Sequence, residues 1–428
     1  LRTRFHKISS QTGDWRRLLK TRNFGWLWSG QVISQIGDGL TRVALLFFVY
    51  ELTGSALKMT VIGVLQTIPP LLFGPFAGVY LDRLPKRATL IVIDLVRVGL
   101  LVVIPILYTM GILSLPTLYV IVFIISCFSM AYGPTLSATV PLVAEHNLLT
   151  PANALIQSSV TIGQLVGPAV SGMLIAMMGA QNVLYVNAGT FFLSALCKLP
   201  IALPPQTEKS RASTKTVWED LRAGFKFVFQ DHRILLLLVI IASVFMFSST
   251  GFIFMLPVIG ERVLHVDSVE LGWLWSALGA GLLIATLWLV LSEQTVLCRR
   301  LWLMAGAALI GGLAVLALIW TRSLLMAALL IAAVGGSSGL VSPIVSASLQ
   351  EKTPKELLAR IFGVFNTGTM GMAILGMTVF GWAADRYDPS FALFAMAAVG
   401  VGTALLISLM IPWCQRLDHQ SAATGNAA

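Results

Sequence analysis

Twelve apolar runs, each of 18 residues or more, dictate what this chain can become. They cover roughly 24–50, 56–81, 89–112, 116–143, 151–177, 182–203, 233–258, 268–292, 300–320, 323–349, 356–382 and 389–413. At ~1.5 Å per residue such a run crosses a hydrocarbon core of ~30 Å as one helix. Only helices and closed barrels satisfy their backbone groups in lipid. Barrel strands would appear as segments of about ten residues with alternating polarity, and the sequence contains none. The runs predict an all-α membrane protein of twelve spans. Hydrophobic residues make up 57% of the chain and charged residues 11%, with a mean hydropathy of +0.84, so a water-soluble fold is excluded.

Charge is distributed by side of the membrane. The formal net charge is +10. Residues 1–23 carry seven Lys/Arg, 82–88 three, 204–233 six and 350–360 three, whereas the opposite loops carry Lys58, Arg262, Arg322 and Arg386. The positive-inside preference then puts both termini and the middle loop in the cytoplasm, as for a multi-pass protein of the bacterial inner membrane. No basic face of a soluble domain exists to hold nucleic acid. The first 23 residues are polar and the run after them is too long for a signal core, so no cleavable signal is expected, and the opening Leu suggests a trimmed or unusually started chain.

Four scattered cysteines (127, 197, 298, 414) indicate neither disulfides nor zinc, and all five histidines fall outside the runs. No metal or cofactor is expected. No Ser/His/Asp set or phosphate-cradling loop can be assembled, so the chain does not read as an enzyme.

The polar stretch 204–232 divides the sequence. The expected organisation is a basic segment 1–23, a six-helix bundle 24–203, a central loop 204–232, a second six-helix bundle 233–413 and a tail 414–428. Within the loop, Val217, Leu221, Phe225 and Val228 predict a helix lying on the membrane surface. A weak repeat at an offset of about 208 residues relates Gly167 and Gly172 to Gly376 and Gly381, as expected for parallel halves with a substrate site near mid-membrane.

Polar side chains inside the runs cluster unevenly. Gln31, Ser34, Gln35, Asp38, Thr41 and Arg42 form a stripe on the first helix. Ser126, Ser129 and Tyr132 lie on the fourth, Gln157, Thr161 and Gln164 on the fifth, Ser248, Ser249 and Thr250 on the seventh, Ser338, Ser342 and Ser346 on the tenth and Asn366 on the eleventh. A polar stripe must face protein or water. The expected substrate cavity is therefore lined by Gln31, Ser34, Gln35, Ser129, Tyr132, Gln157, Thr161, Gln164, Ser249, Ser338, Ser342 and Asn366, with helices 9 and 12 outside. The competing reading of isolated serines is close helix packing.

Asp38 and Asp94 alone among nineteen carboxylates lie within the runs and away from their ends. A charge at mid-bilayer costs roughly 2.5–3.5 kcal/mol even on the lenient scale. Asp38 and Arg42 can touch at i,i+4, which suggests that Asp38 carries a coupling proton tuned by Arg42. The alternative is a permanent ion pair fixing the helix. Asp94 and Arg97, at i,i+3 near a helix end, suggest a structural charge pair.

Two motifs complete the reading. Gly78-Val-Tyr-Leu-Asp82-Arg83-Leu-Pro-Lys86-Arg87 lies between the second and third runs, and Gly163-Gln-Leu-Val-Gly167-Pro168-Ala-Val-Ser-Gly172 lies inside the fifth. They resemble the cytoplasmic-loop and helix 5 antiporter signatures of the major facilitator superfamily. Gln35-Ile-Gly37-Asp38, Asp94-Leu-Val-Arg97 and Ala152-Asn153-Ala154-Leu155 resemble the branch holding bacterial macrolide-efflux and siderophore-exporting carriers, with lysophospholipid carriers more distant. The resemblance implies a cytoplasmic latch at Gly78, Asp82, Arg83, Lys86 and Arg87, although Pro85 replaces the usual Gly. It also implies export by antiport through Gly163, Gly167, Pro168 and Gly172. The family's frequent helix 4 arginine is absent from 116–143, which moves weight to the first helix. The expected protein is a monomeric, proton-coupled antiporter with two pseudo-symmetric six-helix bundles, exporting a bulky amphiphilic small molecule by alternating access. Its expected partners are that substrate, protons and membrane lipid. The alternative is a lipid carrier that needs no proton gradient.

Overall fold

A computed structural model describes residues 17–81, 84–145, 148–203, 233–292, 297–353 and 358–425. Among them are twelve long α-helices and no strand: α1 (Arg22–Thr53), α2 (Ala56–Leu81), α3 (Lys86–Thr109), α4 (Leu115–Val143), α5 (Leu149–Met178), α6 (Ala180–Lys198), α7 (Arg233–Ile259), α8 (Ser268–Leu291), α9 (Leu297–Ala317), α10 (Leu324–Lys352), α11 (Leu358–Arg386) and α12 (Pro389–Gly425). Residues 1–16, Asp82, Arg83 and the surface helix expected in 204–232 lie outside the described residues.

Eleven helices are long and apolar enough to cross a membrane. The exception is α6, whose 19 residues include Asn182, Asn187, Thr190, Ser194 and Lys198. It ends five residues before the predicted run does, because the chain turns at Leu199. Its polar side chains are used inside the protein, as described below.

Local chemistry sets several helix ends. The Ser114 hydroxyl accepts from Thr117 N at 3.3 Å and starts α4. Asp267 and Glu270 form a reciprocal capping box at α8. Helix α7 runs into a π-turn, Gly260–Leu264, closed by His265 at φ 54°. Pro105, Pro134, Pro141, Pro168, Pro257, Pro343 and Pro412 all lie inside helices, which membrane helices tolerate because neighbours satisfy the freed carbonyls.

The chain packs as two compact units: Leu1–Phe48 with Leu65–Thr214, and Val49–Val64 with Lys215–Ala428. The sequence division at 204–232 follows the helix count. Packing additionally assigns the α1–α2 tip, 49–64, to the second unit. In the first unit α3 packs on α6 and α4. Its apolar interior combines Phe24 and Leu27 of α1, Leu90 and Ile93 of α3, Leu136 and Val140 of α4 and Leu155 of α5. In the second unit α8 packs on α10, α9 on α12 and α7 on α11, around Leu238, Phe245, Met304, Val341, Ile361 and Ile407. Lipid offers no hydrophobic drive between helices, so close approach at small residues supplies the packing energy. A Cβ on Gly376 of α11 would collide with the Phe247 carbonyl of α7.

The tip 49–64 is clipped by α11. The Asp385 carboxylate accepts from Ala56 N at 2.7 Å, from Leu57 N at 3.0 Å and from the Ser55 hydroxyl. These donors are the unpaired amides at the start of α2, where the helix dipole also favours an anion. Gly381, one turn before Asp385, lets α11 approach Leu57 and Thr60. Arg262 donates to Gly54 O at 2.7 Å and stacks on Tyr50. Asp385→Ala removes the cap, and such losses cost ~0.5–2 kcal/mol. The expected outcome is a lower melting temperature of the detergent-solubilised protein with unchanged helical content; an unaltered melting temperature would show that the clip contributes nothing.

Candidate functional site

Helix α1 carries its polar stripe into a cluster of charges in the first unit. Asp38 Oδ1 lies 3.6 Å from Arg97 Nη1 of α3. The Asp38 side chain is 39% exposed, whereas that of Arg97 is 4% exposed. Arg97 is held from several sides: its Nε donates to Ser129 Oγ at 2.9 Å, and its guanidinium lies 5.4 Å from the Tyr132 ring centroid and 4.8 Å from that of Phe191. Aromatic faces attract a cation where water is excluded. Tyr132 in turn donates to Gln31 Oε1 at 2.8 Å. Three expected cavity residues, Gln31, Ser129 and Tyr132, thus belong to one network with Asp38 and Arg97.

Behind this network sits a sealed pair. Lys198 Nζ of α6 donates to Asp94 Oδ2 and to Ser194 Oγ (2.7 Å), and lies 4.8 Å from the Tyr132 ring centroid. Both side chains of the pair are fully buried. Leaving either charge uncompensated there would cost ~3–5 kcal/mol.

The two charge pairings expected from the sequence are corrected. Asp38 makes its ion pair with Arg97 across to α3, and not with Arg42 one turn along α1; Arg42 acts on Asp38 only through its field. Asp94 pairs with Lys198 and not with Arg97, its i+3 neighbour. The reason is reach. Lys198 and Arg97 have long side chains that meet carboxylates across helix interfaces, so the partners follow packing and not spacing along one helix. The sequence signal for Lys198 is a cation inside run 182–203, five residues before its end, with no carboxylate nearby on the same helix to mark it as paired. Asn187, equally buried, donates to Thr41 Oγ1 and accepts from Thr190.

The fifth-helix motif builds the wall behind Asp38. A Cβ on Gly163 would run into the Gln35 carbonyl, and one on Gly39 would sit 2.6 Å from Gly163 O and 2.8 Å from Gly167 Cα. Ser171 Oγ donates to Leu40 O at 3.2 Å. Gly163, Gly167 and Ser171 repeat every four residues, so one stripe of α5 lies on α1 backbone to backbone. Pro168 and Gly172 are buried beside that stripe. The relation of Gly167 to α1 is echoed in the second unit by Gly376 against α7, the repeat noted in the sequence.

The loop motif is described in part. Gly78 lies in α2, and Asp82 and Arg83 are outside the described residues. Lys86 Nζ donates to Leu81 O at 2.6 Å, closing the end of α2. Arg87 donates to the carbonyls of Lys198 (3.2 Å) and Leu199, closing the end of α6. Cations belong at helix carboxyl ends, where carbonyls lack partners.

The remaining expected cavity residues belong partly to the first unit and partly to the second. Ser249 and Ser338 share a 3.0 Å hydrogen bond. With Ser248, Ser337 and Gly311 they line a cavity of about 30 Å³ inside the second unit, far below the ~300–1,000 Å³ of a drug-sized pocket. Ser34 is buried, Gln35 packs on Gly163, Gln164 and Ser342 are half-buried, Thr161 bonds back to Gln157 O, and Gln157 and Asn366 are exposed.

Comparison with known proteins agrees with this architecture. A family model described as transmembrane secretion effector matches residues 14–427. Macrolide efflux protein A of Streptococcus pyogenes is 24% identical over 402 residues, covering 92% of this chain and 97% of that protein. The multidrug efflux pump Tap of Mycolicibacterium fortuitum is 25% identical over 395 residues, covering 90% and 94%. Among solved structures, a POT family transporter in complex with 5-aminolevulinic acid superposes with a TM-score of 0.70 at 14% identity, covering 92% and 97%. That likeness speaks to the fold alone.

The α1–α5 seam admits no added side chain, because overpacking against rigid backbone costs ~1–3 kcal/mol or more. Gly163→Val or Gly167→Val is expected to lower the yield of monodisperse protein and its melting temperature. Gly133→Ala, at a position with open space around it, serves as the control; equal behaviour of seam and control variants would refute the packing account.

Proposed function

Because this chain belongs to the transmembrane secretion effector family of the major facilitator superfamily, we propose that it exports a bulky amphiphilic small molecule in exchange for protons. Membership makes it a multi-pass efflux transporter and not an enzyme. The proposed setting is the bacterial inner membrane with both termini in the cytoplasm, supported by the positive-inside bias, and the working unit is a monomer.

One observation carries the proton coupling. Asp38 is an accessible carboxylate in mid-helix, and its countercharge Arg97 is held in place by Ser129 and two aromatic rings. In the proposed cycle this carboxylate exchanges a proton with water. An ionised Asp38 is balanced by Arg97; a protonated one removes the charge that opposes closing an apolar path. Alternation between these forms links proton entry to substrate exit. An inward proton gains ~2.3 kcal/mol per 100 mV of membrane potential. In this scheme Asp82 and Arg83, with Lys86 and Arg87, latch the cytoplasmic side, and Gly163, Gly167 and Pro168 hold α5 to α1 during the change.

The relatives named for macrolide and multidrug efflux support an amphiphilic cargo. The single carboxylate of the accessible network argues against a strongly ionic one. A lipid carrier without proton coupling is the alternative, and transport that persists in proteoliposomes after collapse of the proton gradient identifies it.

Asp38→Asn tests the reading directly. The variant is expected to bind a macrolide probe with near-normal affinity and to lose uphill, proton-driven efflux from proteoliposomes, a drop of at least tenfold in initial rate. Full uphill transport by Asp38→Asn would end the proposal.

A further inference from the structure

Two carboxylates in the first unit compete for one guanidinium. Arg97 has Asp94 three residues before it on α3, a spacing at which side chains meet, and Asp38 facing it from α1 at 3.6 Å. Arg97 Nη1 makes no hydrogen bond among the described residues, and neither does Asp94 Oδ1. The guanidinium is anchored through Nε and its faces, while Nη1 and Asp94 Oδ1 each keep unused hydrogen-bonding capacity. Lys198 decides the outcome, because it occupies Asp94 through Oδ2.

We propose that Lys198 is a positioning residue that selects the ion pair of the coupling site: by engaging Asp94 it reserves Arg97 for Asp38. The inference rests on the Asp38 reading for its role in transport, while the choice of partner stands on geometry alone.

Lys198 is suited to the task. Its ammonium is held by Asp94 and Ser194 and backed by the Tyr132 ring, with no exposure to solvent. Its main chain is fixed by Arg87, which donates to the Lys198 carbonyl at the end of α6. The loop motif is thereby connected to the charge cluster through two non-covalent links on one residue: Arg87 donates to the Lys198 carbonyl, and the Lys198 ammonium donates to Asp94. Charge balance agrees. The pairs Asp38–Arg97 and Asp94–Lys198 are each neutral, and loss of Lys198 leaves two carboxylates for one buried arginine. The fully buried Asp94 then wins over the half-exposed Asp38, because an uncompensated charge costs most where water is excluded. The charged groups acting on Asp38 are Arg97, Arg42, Asp94 and Lys198, with the Tyr132 hydroxyl on α4; α5 carries no titratable side chain.

A stability cycle on the purified full-length protein reads the partner choice without any transport assay. Asp38→Asn is expected to lower the melting temperature by about 2 °C or more in the wild-type background and to leave it unchanged in a Lys198→Met background, where Arg97 has already left. In the doubly neutral background Asp94→Asn with Lys198→Met, no competitor remains on α3 and the cost of Asp38→Asn returns. That background also guards against misfolding, since it buries no unpaired charge. A transport readout follows the same logic. With a macrolide probe in proteoliposomes, Lys198→Met moves the alkaline limb of the pH–rate profile upward by about one unit or more, because the Asp38 carboxylate has lost its countercharge. Adding Asp94→Asn restores the wild-type profile, and Lys198→Arg retains it. A purely structural Lys198 would reduce the amount of folded protein in both variants and leave profile and cycle unchanged. An Asp38→Asn cost that is equal in all three backgrounds overturns the inference. Loss of proton dependence in the wild type with an intact stability cycle overturns only the coupling reading.

Discussion

A charge inside a membrane-length helix must find its opposite within the protein, and this requirement organises the first unit. Asp38, Asp94, Arg97 and Lys198 sit on three different helices, α1, α3 and α6. Their pairings constrain how those helices face one another, above all the fully buried Asp94–Lys198 pair, whose two ends must stay together. The apolar seams would tolerate small slides; a buried Asp94–Lys198 bond would not. Polar content that makes α6 a poor membrane span by composition is explained in the same way. Asn187 and Lys198 bond to Thr41 of α1 and Asp94 of α3, and Thr190 and Ser194 support those two side chains from within α6.

Fold and site differ in how far the sequence revealed them. Twelve runs of the right length define twelve helices because lipid leaves the backbone no alternative; α6 stops early at the turn of Leu199, while α12 continues past the run that ends at 413 to Gly425. The functional glycines of α5 were legible because a Gly–x₃–Gly stripe has one physical use in lipid, close approach. Ion-pair partners were not legible. Spacing along one helix suggested Asp38 with Arg42 and Asp94 with Arg97, yet both acids took partners from other helices. Long side chains reach as far across an interface as along a helix, so one-dimensional spacing carries little weight once neighbours are packed. Lys198 illustrates the point: its value lies in which carboxylate stands opposite, and that is a property of the α3–α6 contact.

Helix ends show a second way in which charge is used. Lys86 and Arg87 close the carboxyl ends of α2 and α6, and Asp385 closes the amino end of α2. Asp385 stands in Gly381-x-x-x-Asp385-Arg386, which shares the spacing of Gly78-x-x-x-Asp82-Arg83 in the loop motif. The glycine admits the neighbouring helix and the aspartate, one turn later, accepts its free amides. Spacing of this kind is informative because both residues act on the same partner helix.

The tight α1–α5 seam constrains what Asp38 can do. Backbone-to-backbone contact at Gly39, Gly163 and Gly167 leaves α1 no room to rotate or translate locally, so Asp38 cannot change its environment by moving its helix within the unit. A change in its pairing must come from the side chains that face it. Arg97 is the member of that set with capacity in reserve: its Nη1 makes no hydrogen bond among the described residues, while its Nε is held by Ser129. A base that faces one carboxylate and lies one helical turn from another offers two alternative pairings, and the energy separating them is set by the other charges nearby. On the proposed reading, proton coupling depends less on displacement of Asp38 than on which carboxylate holds Arg97.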